Sequence, residues 1–183
     1  VTRIGVFGGE FDPPHLGHLA VLRAARDQLG LDRVLVVPVG MPPHRAASTT
    51  PAAVRLEMVE EAFGGEPGVE VTSMEIDRPG ASYTVDTLVQ LASQGRLFLI
   101  IGADQLAALD SWRDADRIRE LATLVVAPRD GFAVDPSEAT PLEMPAVDVS
   151  SRALRDDLAG GRTADDALDP AVASLIRTRG LYG

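Results

Sequence analysis

The chain contains no cysteine and no lysine; all 17 of its basic residues are arginine. Without thiols it has neither disulfides nor thiolate chemistry, a composition that fits a cytoplasmic protein. Without lysine it has no Schiff-base nucleophile and no phosphate-gripping P-loop lysine. Any anion clamp must therefore use arginine, histidine, backbone amides or a metal ion. Positive charge is scarce overall, and the formal net charge of −10 argues against a nucleic-acid partner. No apolar run approaches the length of a membrane span. The first residues read directly as a strand, with no charged leader or cleavage site, so no signal peptide is expected.

What is present is a soluble globular composition, 45% apolar over 183 residues, enough for a proper core. The expectation is one domain over residues 1–183. Strand-like and helix-like patterns alternate along it. Strands are expected at residues 3–7, 33–38, 69–77, 97–101 (the most apolar, hence central), 123–127 and 145–149. Helices are expected at 14–29, capped by Asp12 and ended by Gly30, and at 51–63, 84–94, 104–109, 114–121, 151–158 and 169–179. Residues 39–50 and 128–145 read as loops. This alternation predicts an α/β fold, a Rossmann-like doubly wound, mainly parallel sheet, with ligands beyond the C-terminal strand ends.

The most informative segment is Gly8-Gly9-Glu10-Phe11-Asp12-Pro13-Pro14-His15-Leu16-Gly17-His18. It joins the first strand to the first helix. Turn glycines let backbone N–H groups approach an anion, and a helix N-terminus adds unpaired N–H groups and partial positive charge. His15 and His18 share one helix face, and Gly17 between them is read as leaving space for a ligand. Two imidazoles beside an anion site suit phosphoryl or nucleotidyl transfer. A helix cap with two surface histidines is the plain alternative, which the preceding strand and Gly-Gly turn disfavour.

Other strand ends carry further candidates. Ser150 and Ser151 open a helix whose Arg155 lies one turn on, suited to a phosphate; a plain serine cap is the alternative. Gly102 permits close backbone approach and Asp104 suits ribose hydroxyls, unless Asp104 only caps its helix. Trp112 is the only tryptophan and can stack on a ring or pack over a helix junction. Tyr83 and Thr84 open a helix whose N–H groups suit a carboxylate. His44 and Arg45 lie in the 39–50 loop and can swing a cation to a phosphate.

Together these segments resemble the bacterial nicotinate mononucleotide adenylyltransferases of the H-x-G-H nucleotidyltransferase superfamily. The family pattern G-G-x-F-D-P-x-H-x-G-H is matched from Gly8 to His18. P-P-H-K is matched at Pro42 to Arg45, with arginine for lysine, and S-Y-T-x-D-T-L at Ser82 to Leu88. G-x-D is matched at Gly102 to Asp104, followed by Trp112. I-S-S-T-x-I-R is matched at Val149 to Arg155, with Arg152 for threonine, and the closing L-Y at Leu181-Tyr182. Glu10 stands where the family commonly has threonine.

The resemblance implies transfer of AMP from MgATP to nicotinate mononucleotide, giving nicotinate adenine dinucleotide and pyrophosphate in NAD synthesis. By the same resemblance His15, His18 and Arg155 are catalytic. Gly8, Gly9, Phe11, Gly17, Gly102, Asp104, Ser150 and Ser151 bind ATP. Tyr83, Thr84, Trp112, His44 and Arg45 bind the acceptor. Mg²⁺ comes with ATP, carried by phosphates and water, with no dedicated protein ligands. The expected partners are these small molecules, with neither nucleic acid nor membrane; self-association stays open. Related adenylyltransferases acting on nicotinamide mononucleotide or phosphopantetheine, and a non-catalytic nucleotide-binding module, are the alternatives. A class I aminoacyl-tRNA synthetase fragment would need a lysine signature that this chain lacks.

Overall fold

The computed structural model describes residues 1–43 and 50–183. Its centre is a six-stranded sheet of β1 (Arg3–Gly9), β2 (Arg33–Pro38), β3 (Val69–Val71), β4 (Arg96–Gly102), β5 (Ala122–Ala127) and β6 (Thr140–Pro141). The strand order is β3-β2-β1-β4-β5-β6 and every pairing is parallel. The chain builds outward from β1 to β3, then crosses back to place β4 beside β1. That reversal opens a crevice at the C-terminal ends of β1 and β4, where ligands bind in doubly wound sheets. The fold is the Rossmann-like α/β architecture expected from the alternating pattern.

Strand residues alternate between the two faces, as their period of two requires. Val6, Leu35, Leu99 and Val126 pack in one cluster with Val85 and Leu88 of α3 (Thr84–Leu91) and Ile118 of α5 (Ala115–Leu121). Phe7, Val36, Ile100 and Val125 pack in the other with Val21 and Leu22 of α1 (Leu16–Leu29) and Val59 of α2 (Ala52–Phe63). Both sheet faces are thus covered, which explains why the strands are nearly continuously apolar. A third cluster joins α6 (Ser151–Ala159) and α7 (Pro170–Arg179) to Met58 of α2.

Several boundaries differ from the sequence reading. No strand forms at 145–149; the last strand is Thr140–Pro141, pairing with Val125 and Val126. Pro145 has no N–H to give a ladder, and the segment is held instead by Val147 N–H donating to Pro128 O at 3.4 Å. β3 stops at Val71 because the chain turns, with Asp77 N–H donating to Ser73 O at 2.9 Å. Asp12 does not cap α1. The cap is His15, whose side chain accepts from His18 N–H.

Asp12 is instead held by the C-terminus: the Tyr182 hydroxyl donates to Asp12 Oδ1 at 2.5 Å. Tyr182 is thereby the pin that ties the chain end to the turn before α1. Burial, then the neighbouring Asp12 carboxylate, push its phenol pKa up, so it remains a donor across the working pH range. Tyr182→Phe deletes this donor to the buried Asp12 carboxylate. It is expected to cost about 1–3 kcal/mol, read as a lower urea midpoint at unchanged slope. An unchanged midpoint would show that the contact contributes nothing.

Candidate active site

His15 is in extended conformation, φ −142° and ψ 172°, and closes a reciprocal capping arrangement with His18. His18 N–H donates to His15 Nδ1 at 3.3 Å, and His15 N–H donates to His18 Nδ1 at 3.1 Å. Both Nδ1 atoms are acceptors, so in the neutral rings each proton sits on Nε2. The backbone thus selects one tautomer for both, with Nε2–H as the remaining donor of each ring. The rings stack with centroids 3.7 Å apart at 23°. Beneath them Phe11 meets His18 edge-on at 5.0 Å.

Burial, and then the Arg129 charge, lower the His15 pKa from 6.5 to about 4. Burial, and then His15 itself, hold His18 well below its ordinary value. Both imidazoles are therefore neutral donors at neutral pH. The unfolded chain takes up a proton near pH 6.5 that folded His15 refuses until about pH 4. Stability is therefore full above the unfolded pKa and is lost as pH falls through that window. The His15 share is up to about 3 kcal/mol. His15→Asn keeps a capping oxygen and is expected to flatten the fall in denaturant midpoint between about pH 7 and 5. An undiminished fall would assign it to other groups.

Gly17 and the α1 N-terminus work differently from the sequence reading. A Cβ on Gly17 would lie 2.6 Å from Val147 Cγ1 and 2.9 Å from both Cε1 and Nδ1 of His15. The space Gly17 leaves is occupied by the His15 ring. The helix N–H groups are also largely spent. Leu16 N–H donates to Ala167 O at 2.9 Å and His18 N–H to His15. The anion-facing donors at this junction are thus the imidazoles more than the helix end. Phe11, expected against ATP, is 2% exposed with its φ at +50°, and its side chain acts through His18. Gly9 has room for that ring, 3.1 Å from where its Cβ would be.

The α6 N-terminus docks on the same turn. Ser151 Oγ donates to Pro13 O at 2.8 Å and Arg155 Nη1 to Asp12 O at 2.6 Å. Ser150 Oγ accepts from Ala153 N–H at 3.2 Å. The Ser151 hydroxyl proton is therefore directed to Pro13, which leaves its oxygen lone pairs and the backbone N–H groups of the helix start as its remaining polar groups. Arg155 retains further N–H donors beyond the one that anchors it.

Beside this junction lies an open cleft of about 390 Å³, bounded by Gly8, Gly9, Tyr83, Thr84, Asp104 and Trp112. The structure thus brings these sequence candidates together around one crevice. Asp104 is not a helix cap. Gly102 occupies that position in α4 (Ala103–Ala107), its N–H donating to Gln105 Oε1 at 3.0 Å. A Cβ on Gly102 would lie 2.6 Å from Asp104 Oδ1, so this glycine makes room for the carboxylate. α3 begins at Thr84 with no side-chain cap, which leaves first-turn N–H groups facing the Tyr83–Thr84 end. His44 and Arg45 lie outside the described residues.

Four contributors escaped the sequence reading. Arg129 Nη1 is 3.9 Å from Asp104 Oδ1, and its charge reaches His15. It follows β5, and the strand-end rule alone would have marked it. Arg55 is 2% exposed in α2 and donates to the carbonyls of Glu10 at 2.9 Å and Gly40 at 3.3 Å. It ties the β1 turn to the loop after β2; nothing local distinguishes it from a surface helix arginine. Glu75 is buried at the cleft wall and accepts from Thr87 Oγ1 at 2.6 Å; burial raises its pKa. Arg113 stacks over the Tyr83 ring with Cζ 4.7 Å from its centroid.

A Cytidylyltransferase-like family model matches residues 6–157. A probable nicotinate-nucleotide adenylyltransferase of Thermus thermophilus is 43% identical over 185 residues, 98% of this chain and 99% of that protein. One of Roseiflexus sp. is 43% identical over 193 residues, covering 98% and 97%. Among solved structures, a Plasmodium falciparum nicotinic acid mononucleotide adenylyltransferase complexed with NaAD is similar with TM-score 0.85 at 18% identity. It covers 100% of this chain and 98% of that one.

Proposed function

The chain belongs to the nicotinate-nucleotide adenylyltransferases, and we infer from that premise how its residues divide the work. The reaction is transfer of AMP from MgATP to nicotinate mononucleotide, giving nicotinate adenine dinucleotide and pyrophosphate in NAD biosynthesis. An acceptor phosphate oxygen forms a bond to the α-phosphorus of ATP as the bond from that phosphorus to the bridging β oxygen breaks. The electron pair leaves with pyrophosphate. The acceptor phosphate is already ionised at neutral pH, so no general base is required.

Catalysis is then alignment and stabilisation of charge on the phosphate oxygens. The observation that carries this reading is the reciprocal histidine pair. It presents two Nε2–H donors, fixed in tautomer and ring plane before substrate arrives, which is the preorganisation that electrostatic catalysis uses. Arg155 and the backbone of Ser150 and Ser151 hold the ATP phosphates. Gly8 and Gly9 keep the first turn close to them, and Asp104 faces the ribose. Trp112 stacks on the pyridine ring, while N–H groups at Tyr83 and Thr84 meet the acceptor carboxylate. His44 and Arg45 supply phosphate contacts from the 39–50 loop.

Mg²⁺ enters as part of MgATP. The ion is carried by the phosphates and water. Residues 1–183 act as one nucleotidyltransferase domain working on small anionic substrates in the cytoplasm. Among the described residues no helix is long and apolar enough to cross a membrane.

Pyrophosphate release with MgATP tests the reading, comparing nicotinate mononucleotide, nicotinamide mononucleotide and phosphopantetheine at equal concentration. A strong preference for the nicotinate acceptor is expected. Preference for another acceptor would overturn the acceptor assignment, and no release with any of them would overturn the reaction.

A further inference from the structure

We propose that the Arg113 guanidinium reads the carboxylate of the acceptor ring and sets the preference for nicotinate over nicotinamide mononucleotide. The proposal rests on the reaction assigned above and concerns a side chain that none of the sequence motifs marked.

The cleft is lined by more acidic than basic side chains. Its wall carries the acidic side chains Glu10, Glu75 and Asp104, the last facing Arg129 at 3.9 Å, and among the described residues that line it Arg113 is the one cation. The chain as a whole is acidic, with net charge −10. Nicotinate and nicotinamide mononucleotide share ribose and phosphate and differ by one negative charge on the ring substituent. In a cleft with this lining the carboxylate form is the disfavoured one unless a cation offsets the repulsion.

Position supports the same group. Arg113 follows Trp112 directly, and its guanidinium lies over the Tyr83 ring, 4.7 Å from the centroid. It therefore lies at the Tyr83 end of the cleft, where the acceptor carboxylate is assigned, and lines the same cleft as Trp112. Of the other cations described near the site, Arg155 is bonded to Asp12 O, Arg129 lies beside Asp104, Arg55 donates to the carbonyls of Glu10 and Gly40, and Arg78 donates to Thr87 and Gln90. The partner charge of Arg113 is loosely held, with Nε 3.7 Å from Asp114 Oδ2 and both side chains more than half exposed. The Tyr83 face orients the planar fork, and the Asp114 contact is weak enough to leave the charge for a ligand.

Backbone N–H groups at Tyr83 and Thr84 donate to a carboxylate and also to the oxygen of an amide. A full positive charge distinguishes the two. Loss of a charge-assisted hydrogen bond corresponds to about 10–100-fold, and partial exposure places Arg113 near the lower end.

The experiment measures kcat/KM for nicotinate and for nicotinamide mononucleotide with MgATP, in the parent enzyme, Arg113→Gln and Arg113→Lys. The ratio of the two acceptors is the readout, because a general defect in folding or phosphate chemistry cancels from it. Arg113→Gln is expected to lower the ratio about tenfold, and Arg113→Lys, which keeps the charge, to hold it within about threefold of the parent. A ratio unchanged in Arg113→Gln, with the parent still preferring the nicotinate acceptor, would overturn the proposal and leave the assigned reaction standing. So would a parallel loss on both acceptors, or an Arg113→Lys ratio as low as that of Arg113→Gln. A parent that does not turn over nicotinate mononucleotide would overturn the reaction itself and the proposal with it.

Discussion

Replacing His18 with alanine is expected to lower kcat for pyrophosphate release by about 10²–10³, the range for losing one preorganised donor to the transition state. His18 is the better-held member of the pair. Its ring lies between the stacked His15 ring and the edge of Phe11, and its Nδ1 is fixed by His15 N–H. The donor that remains on Nε2 therefore needs no reorganisation when charge develops on the α-phosphate oxygens. Because that contact strengthens in the transition state, kcat and kcat/KM should fall together, with little change in KM for ATP. The substitution also removes half of the cap, leaving His15 N–H without its acceptor. That costs about 1 kcal/mol, small against the stability of a domain this size. Thermal melting should shift by a few degrees while activity falls by orders of magnitude. Turnover within threefold of the parent would remove His18 from the catalytic role.

The sequence marked the segments that meet at the cleft better than it marked how the pieces fit. Parallel-sheet strands announce themselves as apolar runs because both faces are covered, and Leu97–Ile101 read as central for that reason; β4 does lie beside β1 in the middle. Glycine, histidine and serine motifs at strand ends were legible because few other roles put those residues there. Packing partners were not. That Gly17 makes room for His15, that Ser151 spends its proton on Pro13, and that Arg55 fastens two loops are all long-range facts. No local pattern encodes them. The same limit moved the cap of α1 from Asp12 to His15. Asp12 is a good capping residue by type, but here its carboxylate is claimed by Tyr182, 170 residues away. The missing strand at 145–149 is a competition of another kind, in which apolar character at Val147 and Val149 was outweighed by the donor Pro145 lacks.

Gly17→Ala is expected to lower kcat about 10²-fold although it adds only one methyl group. The added Cβ would lie 2.9 Å from two atoms of the His15 ring and 2.6 Å from Val147 Cγ1, and real Cβ contacts do not come that close. Something must move. Val147 sits in an irregular segment with one 3.4 Å backbone bond to Pro128 and has room to yield. The imidazole has less room, since it is stacked on His18 at 3.7 Å and bonded to His18 N–H through Nδ1. The ring should tilt away from the new methyl, carrying its Nε2–H off the α-phosphate by a fraction of an ångström to an ångström, a displacement that costs about 10²-fold in well-aligned transfers. The cause can be isolated with a double-mutant cycle. In a His15→Ala background there is no ring to displace, so Gly17→Ala should then cost less than about fivefold. Equal losses in the two backgrounds would mean that the methyl acts on the backbone of α1 or on the ligand directly, which is the role the sequence alone suggested for this glycine.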